Sequence, residues 1–226
     1  VEINMWGYYG SKSKVINKYP PPRHPKIIEP FAGTAQYSLK YWDNEVLLIE
    51  KYSVITNIWK WLQTCSPSDI LGIRKLKFGE STDDFIWSCQ EEKDLVGFII
   101  TGAPSMPKKK ASRWKTVCRP NTQNYKLNLI AESLYKIRHW KIVEGDYKDA
   151  KNEPATWFID PPYFVGGKYY KYGSKDLDYN SLGNWCLERE GQLIVCESSG
   201  ADWMPFTYLT TLRGNKKNYN EVVFLR

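Results

Sequence analysis

The chain has only two histidines, His24 and His139, among its 226 residues, so histidine-based catalysis has few candidates. Its five cysteines, Cys65, Cys89, Cys118, Cys186 and Cys196, are odd in number and widely spaced. No pair has the spacing of a zinc site or a redox dithiol, which points to reduced thiols and no bound metal. Neither a G-x-x-x-x-G-K-[ST] loop nor a G-x-G-x-x-G run is present, which removes the usual cradles for nucleotide phosphates. There is no secretory leader pattern and no apolar run long enough to span a bilayer, so a cytoplasmic protein without a membrane partner is expected. A further absence is local. Residues 95–131 contain no Asp or Glu, yet carry Lys108, Lys109, Lys110, Arg113, Lys115, Arg119 and Lys126. Those seven charges equal the whole net charge of +7, so the rest of the chain is formally neutral. A surplus concentrated in this way suggests a polyanionic partner.

What is present is an alternation of strands and helices. "KIIEPFAG" (26–33) reads as an apolar strand running into a glycine turn, and "TAQYSLKYW" (34–42) as a helix with apolar positions three and four apart. "EVLLIE" (45–50) is a second strand, followed by a helix over "SVITNIWKWLQ" (53–63). Further strands are expected in "WKIVEGD" (140–146), "TWFID" (156–160) and "QLIVCE" (192–197), with helices over 124–140 and 178–189. "FTYLTTLRG" (206–214) and "NEVVFLR" (220–226), joined by a short basic turn at 214–218, read as a hairpin. The pattern predicts an α/β fold with a seven-stranded, mostly parallel sheet and one antiparallel member. Ligands of such sheets bind outside the carboxyl ends of the strands, so the informative loops follow Pro30, Glu50, Gly145 and Asp160. Residues 67–123 do not fit the alternation. They hold a helix-like stretch (81–100) and then a proline-broken basic loop, and read as an insertion.

Three of these strand ends suggest chemistry. Phe31, Ala32 and Gly33 are small or flat residues at the first tip, where a ligand can approach the backbone closely. Glu50 ends the second strand, where a carboxylate can accept from both hydroxyls of a ribose. With no phosphate motif, the pair suggests a nucleoside cofactor without phosphates, and S-adenosylmethionine fits. The third end is "DPPY" (160–163). A base's amino group is a poor nucleophile because its lone pair is delocalised into the ring. Two acceptors on its two hydrogens draw the nitrogen toward tetrahedral geometry. The Asp160 carboxylate and the Pro161 carbonyl are the expected acceptors, and Pro161 and Pro162 lock the loop that carries them. Tyr163 offers a flat ring on which an extruded base can stack.

These motifs resemble the DNA adenine methylases of the Dam type, in which the order is cofactor motif, target-recognition insert, catalytic motif. "YYGSKSK" (8–14) resembles that family's aromatic-x-Gly-x-Lys segment, "EPFAG" (29–33) its F-x-G motif, and "DPPY" matches fully. Ser11 stands where many members have a second glycine, Ala35 replaces the last glycine of F-x-G-x-G, and Glu50 falls where the family has Asp. The resemblance implies a Rossmann-like class I methyltransferase, with a catalytic domain over 1–66 and 124–226 and a recognition region over 67–123. It implies that Tyr8, Lys12, Glu50 and Asp160 contact S-adenosylmethionine, joined by Asp146 and Tyr147 near its adenine. The implied reaction is methyl transfer to the 6-amino group of adenine in DNA, by base flipping and direct displacement. Cytosine 4-amino or RNA adenine acceptors fit the same amine chemistry, and a nucleic-acid-binding subunit without turnover fits the Ala35 and Glu50 departures. A restriction partner, an orphan methylase and phage self-modification are equally compatible settings.

Lys108, Lys109, Lys110, Arg113, Lys115 and Arg119, interleaved with Trp114, are the expected phosphate and groove contacts. "GGKYYKYGSK" (166–175) follows the catalytic motif directly and reads either as a lid over the flipped base or as a disordered loop, with Lys168 and Lys171 toward DNA. Lys216 and Lys217 in the final turn read as a plain exposed turn before they read as DNA contacts. The sequence carries no signal for oligomeric state.

Overall fold

The computed structural model describes residues 4–213 and 218–226. Seven strands form one sheet: β1 (Lys26–Glu29), β2 (Glu45–Glu50), β3 (Lys141–Glu144), β4 (Ala155–Ile159), β5 (Gly191–Ser198), β6 (Thr207–Arg213) and β7 (Asn218–Leu225). Their order is β3-β2-β1-β4-β5-β7-β6. β1 to β5 run parallel, and β7 lies antiparallel between β5 and β6. This is the mostly parallel sheet with one antiparallel strand that the alternation predicts. The strand order reverses between β1 and β4, which makes their carboxyl ends the expected ligand crevice.

Successive strand residues face opposite sides, and both sides are covered. Ile27, Leu48, Phe158 and Ile194 join one core, which also contains α2 (Ser53–Thr64) and α5 (Thr122–Ile137). Ile28, Ile49, Trp157 and Val195 join the other, beneath α6 (Tyr179–Leu187). That double burial explains why the strands read as continuous apolar runs. Each such side chain contributes about 1.5–3 kcal/mol by leaving water. Among the described residues no helix is long and apolar enough to cross a membrane.

The first helix is shorter than the sequence predicts. Gly33 and Ala35 both hold left-handed backbone (φ 46° and 44°), and α1 covers only Gln36–Lys40. Ala35 thus adopts the conformation for which the motif's missing glycine is suited. The expected helix over 81–100 also shrinks, to α4 (Gln90–Ile99). Before it, Ser81 accepts from Asp83 N and Asp84 accepts from Ser81 N, closing a 3₁₀ turn at Thr82–Asp84. Short polar side chains that satisfy the backbone locally compete with helix in this way. Residues 67–123 also include α3 (Pro67–Leu71). Ile70, Ile73, Leu95 and Phe98 of this stretch belong to the same continuous core as Ile27 and Leu48. Of the basic turn between the last two strands, residues 214–217, with Lys216 and Lys217, lie outside the described set.

Gly191 starts β5 at φ 95°, and a Cβ there would sit 2.3 Å from the Ala155 carbonyl oxygen. Gly191→Ala therefore forces backbone to move at the β4–β5 junction. A loss of about 1–3 kcal/mol is expected, seen as a fall of about 2–4 °C in thermal midpoint per kcal/mol. An unchanged midpoint would show that the junction relaxes freely.

Candidate active site

The four loops singled out from the sequence converge on one cleft, open to solvent, at the carboxyl ends of β1, β2, β3 and β4. Tyr8, Lys12, Phe31, Ala32, Gly33, Glu50, Asp146, Tyr147 and Asp160 all line it. They come from five separate stretches of chain, so the sheet brings together every residue assigned to the cofactor.

The turn after β1 is clamped from several sides. Ala32 N donates to Ile49 O (3.2 Å), and Trp59 Nε1 donates to Gly33 O (2.8 Å). Glu50 accepts from Gly33 N through Oε2 and from Tyr52 N through Oε1, each at 2.9 Å. Burial pushes its pKa up, and backbone N–H donors from Tyr52, Gly33 and Lys51 oppose that rise. Glu50 therefore ties the ends of β1 and β2 together in addition to facing the cleft. At the β3 end, Asp146 accepts from Lys148 N and lies 3.0 Å from Lys51 Nζ. Tyr147 stacks on Phe31, with ring centres 5.3 Å apart and planes at 24°.

The wall opposite is built by the N-terminal segment and residues 166–175. The latter form two 3₁₀ turns, Gly167–Tyr169 and Ser174–Asp176. Tyr170 donates its hydroxyl proton to Tyr9 O (3.0 Å), and its ring meets Tyr8 edge-on at 5.9 Å. Tyr8 meets Phe98 of α4 at 5.8 Å, which joins the cleft to the inserted stretch. Lys171 lines the cleft, while Lys168 is exposed beside Tyr169.

At the β4 tip, Lys12 Nζ lies 2.6 Å from Asp160 Oδ1. Burial raises Asp160, Lys12 opposes the rise and Glu221 and Glu197 add to it, and together they leave its pKa at about 6. Burial also pulls the Lys12 ammonium down, but Asp160 and Glu221 outweigh it, so Lys12 stays charged. Pro161 is buried, and no described residue donates a hydrogen bond to its carbonyl. The Pro162 carbonyl accepts from the Tyr179 hydroxyl. The Tyr163 hydroxyl donates to Glu221 Oε1, and Lys12 Nζ sits 4.4 Å over the Tyr163 ring. Phe164 N donates to Glu197 Oε2 (2.9 Å), which also accepts from Trp203 Nε1 (3.0 Å). The Asp-Pro-Pro-Tyr loop is therefore held by two buried acids, Glu197 and Glu221.

Sequence reasoning missed those acids and Glu29. A signal exists for Glu221: it shares the inward strand face with Val223, where a charge is unexpected. Glu29, at the end of β1, accepts from Ser38 N (2.7 Å) and lines the cleft.

The basic residues of the insert lie apart from this cleft. Lys108, Lys110, Arg113 and Arg119 are exposed, and Arg119 stacks on the exposed Trp114 at 4.8 Å. Lys109 pairs with Asp83 (2.8 Å), which also holds Lys93 (2.7 Å). The acid-free window thus receives an acid from outside itself. Lys115 is half-buried, and burial followed by Arg119 lowers its pKa. Tyr9 N donates to Pro104 O (3.2 Å), so the basic loop begins beside the N-terminal wall of the cleft.

No protein-family model matches the chain, and no curated protein matches it. The fold and site define an α/β protein with an open cleft at its sheet's switch point.

Burial raises Glu29 to about 8, with the Ser38 bond opposing and Asp160 assisting. The native state therefore holds a proton that the unfolded chain releases near 4.5, and stability falls as pH rises between those values. Glu29→Gln keeps the acceptor for Ser38 N and removes the titration. Between pH 5 and 8, wild type is expected to lose on the order of 2–5 kcal/mol more stability than the variant. Urea melts at both pH values check this; equal losses would show that Glu29 is ionised in the native protein.

Proposed function

We propose that the protein transfers a methyl group from S-adenosylmethionine to the 6-amino group of adenine in DNA. One observation carries the reading: a single cleft joins the ribose-type acid Glu50 and the Phe31–Tyr147 ring pair to Asp160 of Asp-Pro-Pro-Tyr.

The cleft fits the cofactor. Phe31 and Tyr147 offer apolar ring surface for an adenine, and Glu50 an acceptor for ribose hydroxyls. A Cβ built on Gly33 would meet only the Tyr8 ring, at 3.5 Å, so a ligand can lie against the turn. Bound there, S-adenosylmethionine would supply a methyl group on a positively charged sulfur, open to displacement by an amine nitrogen. The chain's own residues prepare that amine. Asp160 accepts one of its hydrogens and the Pro161 carbonyl, whose oxygen has no donor among the described residues, accepts the other. Both acceptors sit on a loop fixed by two prolines and by Glu197, so neither acceptor has to move when the base arrives. Tyr163 gives the base a stacking surface, its hydroxyl anchored by Glu221. With a pKa of about 6, the Asp160 carboxylate can also take up the proton that the amine must lose. The exposed lysines and arginines beside Trp114 supply phosphate contacts that bring the duplex to the cleft.

Asp160→Asn retains size and removes the anionic acceptor. We expect methyl transfer to fall by at least about a hundredfold, with the fold kept, as measured by tritiated methyl incorporation into DNA and circular dichroism. Because protonation removes the acceptor, wild-type kcat/KM is expected to fall as pH drops through about 6. Wild-type rates in Asp160→Asn would sink the mechanism.

Replacing Lys108 and Lys110 with alanine should weaken DNA binding and flatten its salt dependence by about 0.9 in log–log slope per lost contact. Lys109→Ala should change the slope less, since its ammonium already pairs with Asp83. Titrations of affinity against salt separate these cases, and equal slopes in all three proteins would place the DNA elsewhere.

A further inference from the structure

Lys12 occupies one contact that the proposed reaction gives to the acceptor amine, at Asp160, and one that it gives to the base, on the Tyr163 ring. Its Nζ is 2.6 Å from Asp160 Oδ1 and 4.4 Å over the Tyr163 ring. A base that donates to Asp160 while lying on Tyr163 cannot share that space with an ammonium group. Lys12 must therefore move, and its charge limits where it can go. The side chain is only 7% exposed, and a buried ammonium without a partner is strongly unfavourable.

A second acid is within reach. Glu221 Oε1 lies 3.7 Å from Lys12 Nζ. A movement of about 1 Å would convert that separation into a charge-assisted hydrogen bond. Glu221 itself is held still. The same oxygen accepts from the Tyr19 hydroxyl (2.8 Å) and from the Tyr163 hydroxyl, and β7 pairs Glu221 with Ser198 of β5. The lysine, on a flexible four-carbon stem in a 3₁₀ turn, is the partner free to shift.

We propose that Lys12 is a placeholder for the acceptor amine, and that Glu221 is a positioning residue that draws it off Asp160 when a base enters. The inference rests on the reading of the site as an amine methyltransferase. Before substrate arrives, the ammonium partners Asp160. With the base in place, the ammonium is neutralised by Glu221, and Asp160 is left to accept from the amine.

A double-mutant cycle in the full chain tests this, using tritiated methyl transfer to DNA. Glu221→Gln keeps an oxygen for the two tyrosine hydroxyls and removes the charge that attracts Lys12. With both backgrounds assayed at alkaline pH, so that Asp160 stays ionised without the lysine, it is expected to lower kcat about tenfold in the wild-type background and less than about twofold in a Lys12→Met background, where there is no ammonium to relocate. Equal losses in both backgrounds, or none in the wild-type background, would overturn the proposal. A second measurement does not need turnover. With 2-aminopurine at the adenine found to be methylated, Lys12→Met should extrude the base more readily than wild type when no donor is present, giving a larger rise in fluorescence. An equal or smaller rise would also overturn it. A wild-type protein without transferase activity on any nucleic acid would remove the proposed function and this inference together. An active wild type with equal losses would remove the inference alone.

Discussion

The site depends on one buried ion pair, Lys12 with Asp160 at the end of β4. An isolated carboxylate there would protonate, because burial alone drives its pKa up. The ammonium offsets part of that cost and keeps an acceptor available near neutral pH. It can do so only if the N-terminal segment is pinned to the sheet's carboxyl edge. The hydroxyl of Tyr170, the ring contacts of Tyr8 with Phe98 and Tyr170, and the bond from Tyr9 N to Pro104 O provide the pinning. Removing either partner of such a pair leaves a buried charge uncompensated, which costs more than the pair itself gains. Residues 8–12, 98–104 and 170 are therefore part of the electrostatics of Asp160, although the first two stretches are far from it in sequence.

The cleft was legible in the sequence because its parts are local. A strand that ends in Glu50, a turn of small residues at 31–33, and an acid with two prolines at 160–162 each declare themselves within a few residues. Parallel strands then bring their carboxyl ends to one edge without further instruction. The boundaries of the strands were legible for the same reason: buried on both faces, they stand out as apolar runs. What could not be read depended on pairing between distant segments. Lys109 counted as a free charge until Asp83, outside the acid-free window, proved to face it. Residues 81–100 read as helix-like throughout, yet Ile86 is fully exposed and the Ser81 and Asp84 side chains cap a turn instead. Glu197 and Glu221 each look like one more charge in a strand. Their role is visible only once β5 and β7 lie beneath the Asp-Pro-Pro-Tyr loop.

The inserted stretch combines two properties that are usually separate. Its apolar side chains are continuous with the core of the sheet, through Leu95, Phe98 and Ile70. Its basic residues face solvent on a loop strapped to α4 by Lys108 N to Gly97 O and Ser112 N to Ile100 O. Charge and core are thus a few residues apart. α4 supports both features: its carboxyl end holds the basic loop, and its Phe98 ring meets Tyr8 at the wall of the cleft.

β7 explains why an antiparallel strand is useful in this sheet. Inserted between β5 and β6, it reaches the carboxyl edge with its amino-terminal half, so a residue early in the strand lies under the Asp-Pro-Pro-Tyr loop. Its register is set at the other end, where Arg226 N and O exchange bonds with Leu193 and the Arg226 guanidinium donates to Leu187 O. A slip of one residue would turn Glu221 to the opposite face and bring a valine or an asparagine beneath Tyr163. The acid is therefore positioned by backbone pairing that begins at the far edge of the sheet, and the hydroxyls of Tyr19 and Tyr163 need only align its oxygens. A side chain held in this way keeps its place when a neighbouring charge moves, which is what a second partner for Lys12 requires.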